Sequence, residues 1–172
     1  KWGYFGVEAY KDLSKGQGFP MRLLLTGICN DVSIGVSGKS PVKKLADLKG
    51  KTIAAGFAKT PAVQLQATAA LANAGLSWDD VRLLPVASPG DSLKAVMEGR
   101  ADAAGSATVG MPDLTDFNAK TGGILLSFDP SPEAKARALK AYPDGMLHLV
   151  KGGTWPGVPK DSWLLRYEIY VV

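Results

Sequence analysis

Leu45-Ala46-Asp47-Leu48-Lys49-Gly50-Lys51-Thr52-Ile53-Ala54-Ala55-Gly56, followed after Phe57 and Ala58 by Lys59-Thr60-Pro61, is the stretch that decides the fold. A short charged turn leads into an apolar strand, Thr52 to Ala55, the strand stops at Gly56, and a helix begins at the Thr-Pro pair. Thr60 has the hydroxyl that an N-cap uses to accept a bond from an orphan helix N–H, and Pro61 at the first helical position has no N–H to leave unpaired. The remaining free N–H groups and the helix dipole favour an anion beyond the strand end, and Lys59 adds a full positive charge there. An ordinary βα loop has the same features, so the rest of the chain has to separate the two.

The 172 residues suffice for one ordinary domain with a substantial core and are short for two. Hydrophobic residues at 46% with charged residues at 21% are normal for a globular protein. No run approaches the ~18 to 20 apolar residues that span a bilayer. Cys29 is the single cysteine, which excludes an internal disulfide and a thiolate metal cluster. His148 is the single histidine, which argues against a His-based metal site and a Ser-His-Asp triad. Within Met146-Leu147-His148-Leu149-Val150 it reads as an outward strand residue. The net charge of +4 is spread along the chain. Only Lys39, Lys43, Lys44, Lys49 and Lys51 gather, and they lack the interleaved aromatic residues of a nucleic-acid groove. A solvated face is expected there, with no nucleic acid, no metal and no cofactor.

From Lys51 onward strands and helices alternate. The pattern predicts a strand over Thr52 to Ala55, a helix from Pro61 to Ala74 closed by Gly75, a strand from Val81 to Val86, and a helix from Asp91 to Glu98 closed by Gly99. A buried strand from Ala101 to Ala104, a helix beginning near Val109 or Pro112, a strand from Gly123 to Phe128 and a helix from Pro132 to Ala141 follow. Such alternation implies an α/β fold with a mostly parallel sheet flanked by helices. Met21 to Thr26 and Val32 to Ser37 precede the series and Trp163 to Val172 follows it, all strand-like. They read as segments crossing a hinge to a second lobe, or as edge strands of one sheet. On the first reading, residues 1–36 are the end of a first lobe and a hinge strand, 37–160 the second α/β lobe, and 161–172 a hinge strand returning to the first lobe. Ending inside an apolar run is expected of a piece of a longer two-lobed protein.

In open sheets of this kind ligands bind beyond the carboxyl ends of the strands. The residues standing there are Lys59 and Thr60 after the first strand, Ser88 after the second, and Gly105, Ser106 and Thr108 after the third. The rim is small and polar, with glycine allowing close approach to the backbone, and suits a small anionic or zwitterionic solute. Later in the chain, Gly153-Thr154-Trp155-Pro156-Gly157 combines turn-forming glycines with a stiff proline. Thr154 can offer its hydroxyl to a carboxylate, and Trp155 can wall a cleft or fill a hinge core.

With these residues placed, the sequence resembles the solute-binding proteins of TRAP transporters, in particular the TAXI family. Ala46-Asp47-Leu48-Lys49-Gly50-Lys51-Thr52-Ile53 is similar to the start of the second lobe in type II periplasmic binding proteins generally. The finer likeness lies in Leu24-Leu25-Thr26-Gly27, in Ala74-Gly75-Leu76 with Asp79-Asp80-Val81, in Glu98-Gly99-Arg100-Ala101-Asp102-Ala103-Ala104, and in Tyr142-Pro143 with the Gly153 to Gly157 tract. That tract is similar to a Gly-Thr-Tyr-Pro-Gly tract of the family. One departure is Phe57-Ala58-Lys59-Thr60-Pro61-Ala62-Val63, which stands where the family has a Gly-Ser-Gly-Thr type of loop. The resemblance implies a type II periplasmic-binding-protein lobe with hinge-crossing strands at both ends. It implies a periplasmic receptor that closes on a small organic acid or amino acid and delivers it to the membrane permease subunits of a transporter. The signal peptide of such a protein is not in this chain, since Lys1-Trp2-Gly3-Tyr4 lacks the pattern.

Three functions compete on such a scaffold. The first is a binding module without chemistry, either of this TRAP type or an ABC-type solute-binding protein of the same fold. Another is an enzyme that uses Lys59 as a pKa-lowered cofactor or Schiff-base lysine, since Asp102, Asp113 and Ser106 show no catalytic partner. The last is the effector domain of a transcriptional regulator, which needs a helix-turn-helix that Lys1 to Gly18 do not show. The binding module is the expected function, and no enzymatic activity is expected.

Overall fold

The computed structural model describes residues 25–57 and 60–171. Their order is β1 (Leu25–Val36), β2 (Thr52–Ala55), α1 (Pro61–Asn73), β3 (Arg82–Pro85), α2 (Pro89–Met97), β4 (Ala103–Thr108), α3 (Pro112–Thr121), β5 (Ile124–Leu125), α4 (Pro132–Ala141), β6 (Met146–Val150) and β7 (Ser162–Val171). Among the described residues they form one sheet in the order β3-β2-β4-β1-β7-β6, with β5 pairing β1 off that path. The expected α/β architecture is present, with the turn, strand and helix of the opening stretch in place.

Small apolar residues explain the centre of the sheet. Ile53 and Ala55 of β2 join one core, with Leu71 of α1, Leu126, Phe128 and Leu165, while Ala54 joins a second, with Leu93, Ala104, Leu114, Phe117 and Leu164. Successive residues of a strand point to opposite faces, so β2 and β7 are covered on both sides, by α1 and α4 on one and by α2 and α3 on the other. Gly75 and Gly99 close α1 and α2 with φ of +72° each, the left-handed conformation that the helix ends call for. Arg137 of α4 donates to the carbonyls of Ala72 and Asn73, placing a cation at the negative end of α1.

The sheet is less parallel than expected. β2 runs parallel to β3 and β4, but β1 is antiparallel to β4, β5 and β7, and β6 is antiparallel to β7. The cause is β1. The two predicted segments are a single strand from Leu25 to Val36, and the part of the first that covers Met21 to Leu24 lies outside the described residues. Residues between the two predicted segments belong to the strand: Asp31 pairs across the ladder with Arg166 and receives both its Nε, at 2.9 Å, and its Nη2, at 2.7 Å. A bidentate guanidinium satisfies a half-buried carboxylate and lets the strand continue. β1 and β7 therefore lie inside the sheet, whose described edges are β3 and β6, so the edge-strand alternative does not hold for either.

Two other strands also shift. Gly123 to Phe128 contracts to Ile124–Leu125, and the chain beyond is held by single bonds from Leu126 N–H to Ile34 O at 2.9 Å and from Phe128 N–H to Trp163 O at 2.8 Å. β4 runs on to Thr108 instead of ending at Ala104. Gly105 is thus a strand residue: a Cβ there would lie 2.8 Å from Ala55 Cβ and 2.9 Å from Ala54 O. His148 is not simply an outward residue of β6, because its Nδ1 is buried, 3.3 Å from Asp31 Oδ1, with no hydrogen-bond partner.

Gly105→Ala should therefore cost about 1 to 3 kcal/mol of stability, the range for overpacking against rigid neighbours, read from urea unfolding. A second expectation concerns acid. Backbone N–H groups of Lys43, Ser77, Ser131 and Gly152 bind Asp47, Asp80, Asp129 and Asp161 and hold those carboxyls below the usual carboxylate range. Groups lowered in the folded state contribute fully above the unfolded value of about 3.9, and lose that contribution as pH falls through the folded values. Stability should fall below about pH 4, and Asp80→Asn should flatten part of that fall.

Candidate functional site

Beyond the carboxyl end of β4 lies a cleft of about 390 Å³, where α1, α2 and α3 all begin. Val63 and Gln66 line it from α1, Ser88 and Gly90 from the start of α2, and Ser106 and Thr108 from β4. Met111 and Asp113 at the start of α3, and Tyr167 of β7, complete the polar and apolar walls. The convergence follows from topology, since β2, β3 and β4 are the parallel strands and each βα unit sends its helix start to the same end of the sheet.

The three helix starts differ. Ser88 caps α2: its hydroxyl accepts from Asp91 N–H at 3.2 Å and donates to Asp91 Oδ2 at 2.7 Å. Thr60 occupies the N-cap position of α1, but its hydroxyl makes no cap bond, because its backbone, at φ −142° and ψ 69°, is turned by the bond from Thr60 N–H to Phe57 O at 2.8 Å. The expected Thr60 cap is therefore not formed. Met111 at the start of α3 has no side chain that can cap. Neither start has a side-chain cap; proline at the first position brings no N–H, and the third N–H of each bonds the carbonyl of its cap residue, Val63 to Thr60 at 2.9 Å and Leu114 to Met111 at 3.1 Å.

The floor carries buried polar side chains. Ser106 and Gln66 are buried, and the Ser106 hydroxyl donates to Gln66 Oε1 at 3.3 Å. Of the residues that the sequence pointed to, Ser88, Ser106 and Thr108 are brought together on the cleft. Gly105 is not, because it packs between β4 and β2. Lys59 lies outside the described residues. Thr154 and Trp155 sit on the exposed loop between β6 and β7 and do not line the cleft. Trp155 fills no core: it is 46% exposed, and its ring lies against Gly110, 3.6 Å from where a Cβ would be. Gln66, Asp113 and Tyr167 are the polar lining residues that sequence reasoning did not assign to a site. A signal existed for Gln66, an amide that opens the buried, alanine- and leucine-rich stretch of α1.

The cap geometry separates two variants that look alike in sequence. Ser88→Ala should cost about 1 kcal/mol of folding stability and Thr60→Ala well under half of that, compared by urea unfolding.

Comparison with known proteins places the chain. Residues 4–133 match the model of the family described as NMT1/THI5 like. No curated protein matches. Among solved structures, the periplasmic aliphatic sulphonate binding protein SsuA from Escherichia coli is similar at 28% identity over 56% of this chain and 31% of that chain, with a TM-score of 0.43. The alkanesulfonate-binding protein SsuA from Xanthomonas axonopodis pv. citri bound to MOPS is similar at 29% identity over 59% of this chain and 33% of that chain, with a TM-score of 0.45. Holo ArgBP from T. maritima is similar at 19% identity over 62% of this chain and 44% of that chain, with a TM-score of 0.41. The chain spans about a third of the length of the SsuA structures it matches. The match is to a family other than the TAXI family that the Gly153 to Gly157 tract resembles. With three quarters of its residues inside that one family model, the chain belongs to the NMT1/THI5 like family.

Proposed function

We propose that this chain is one lobe, with its crossing strands, of a two-lobed periplasmic solute receptor that serves an ABC-type importer. The observation that carries the proposal is the cleft, where two uncapped helix starts, the hydroxyls of Ser88, Ser106 and Thr108, and the Gln66 amide converge on a space of small-molecule size. The positive dipole ends of helices and short polar side chains are what a small anionic or zwitterionic solute needs. The similar SsuA proteins are described as binding aliphatic sulphonate and alkanesulfonate.

In this proposal residues 1–36 and 161–172 connect to a partner lobe and residues 37–160 form this one. The adjacent antiparallel strands β1 and β7 are the segments that flex as the lobes close. Hydrogen bonds to a charged solute are worth roughly 1.5 to 3 kcal/mol each, so two or three supply much of a micromolar affinity. Lys59 is a further candidate ligand from the loop before α1. Delivery to a membrane permease completes the cycle. A TRAP-type permease in place of the ABC importer is the second possibility, favoured by the Gly153-Thr154-Trp155-Pro156-Gly157 tract and its likeness to the TAXI family. In either case Thr154 and Trp155, on their exposed loop, would contact the solute only after closure.

Calorimetric titration of the full chain with alkanesulfonates, amino acids and small carboxylates tests this. A micromolar solute is expected, with Thr108→Val weakening it about two- to tenfold at an unchanged melting temperature. Flat traces from a folded protein across that panel would overturn the receptor.

A further inference from the structure

The start of α2 is already occupied by the chain's own negative charge. Asp91 in its first turn bonds to the Ser88 hydroxyl at 2.7 Å. Asp113, from the first turn of α3, reaches across the cleft mouth so closely that a Cβ on Gly90 would lie 2.8 Å from its Oδ2. Favourable interaction with its own helix dipole explains an acid at position 113. It does not explain a carboxylate turned onto the neighbouring helix start, which is possible only because residue 90 has no side chain. Among the described residues that line the cleft, Asp113 is the only one of charged type.

Two carboxylates at one helix start repel a third anion there and attract a cation. The start of α1, with no side-chain cap and no acid in its first turn, stays available to an acidic group, so the cleft has distinct ends for opposite charges. We propose that Asp113 sets the chemical class of the solute, which carries a cationic nitrogen (ammonium, amidinium or guanidinium) placed between Asp113 and Ser88. This deepens the receptor reading and rests on it: of the anionic and zwitterionic solutes considered above, it selects the zwitterionic. Gln66 and Ser106, buried beneath, present their polar atoms to the remainder of the solute.

The test is a thermal-shift screen of the full chain at neutral pH, followed by calorimetry on each hit. The probes are the twenty L-amino acids and 2-aminoethanesulfonate on one side, and butanoate, succinate and ethanesulfonate on the other. Hits are expected only among the nitrogen-bearing probes. Asp113→Asn, which keeps the shape of the side chain and removes its charge, should weaken them about 10- to 100-fold, and Asp113→Glu should recover most of the loss. If the simple acids bind as tightly as their amino counterparts, or if Asp113→Asn leaves the preference intact, the cationic class is overturned while the receptor stands. If no probe binds the folded protein, both fall. A merely structural Asp113 would show itself as a lowered melting temperature in Asp113→Asn with an unaltered preference among probes, which also overturns the proposal.

Discussion

The buried hydroxyl of Ser92 joins the elements that build the cleft. It donates to Ala54 O at 2.6 Å and accepts from Gly105 N–H at 2.9 Å, at the point where the short parallel pairing of β2 and β4 ends. Without it, a carbonyl and an amide would be left unpaired in the interior, at a cost of about 1 to 3 kcal/mol each. The bond also pins α2 over those two strands, and the start of α2 is one wall of the cleft. Residues with larger side chains than Ala54, Ala55, Ala104 and Gly105 would hold the strands and the helix too far apart for one hydroxyl to serve both.

Charge is placed with the same economy. Arg137 closes α1, Arg166 makes Asp31 tolerable inside β1, and backbone N–H groups hold the aspartates of the turns. The cleft departs from this pattern, because Asp113 carries a charge that no described cation answers within the lining.

Much of the fold was legible locally. The strand Thr52–Ala55 and the helix Pro132–Ala141 stand where apolar runs, Pro at the first helical position and dipole-matched charges put them. The helix closures at Gly75 and Gly99 were equally readable, because a left-handed residue is a local demand. Sheet direction was not legible. Whether β1 lies parallel or antiparallel to β4 depends on a partner far along the chain, and the strand continues through Asp31 where Arg166 stands opposite. The candidate site was half legible: Ser88, Ser106 and Thr108 follow from the rule of strand ends, while Tyr167 comes from the last strand and Asp113 from a helix whose start was only loosely placed.

By itself, then, the sequence determined the alternation of strands and helices from Thr52 onward, where α1 and α4 begin, where glycine closes α1 and α2, and that small polar residues follow the parallel strands. Those properties depend on backbone conformation and on neighbours a few positions away. Only the tertiary structure decided that β4 continues through Gly105, that Thr60 does not cap, and that Asp113 stands over Gly90. Each of these depends on the approach of two segments distant in sequence, and the opening run shows both sides: its strand and helix are written in its own residues, and its role at the rim of a cleft comes from what packs against it.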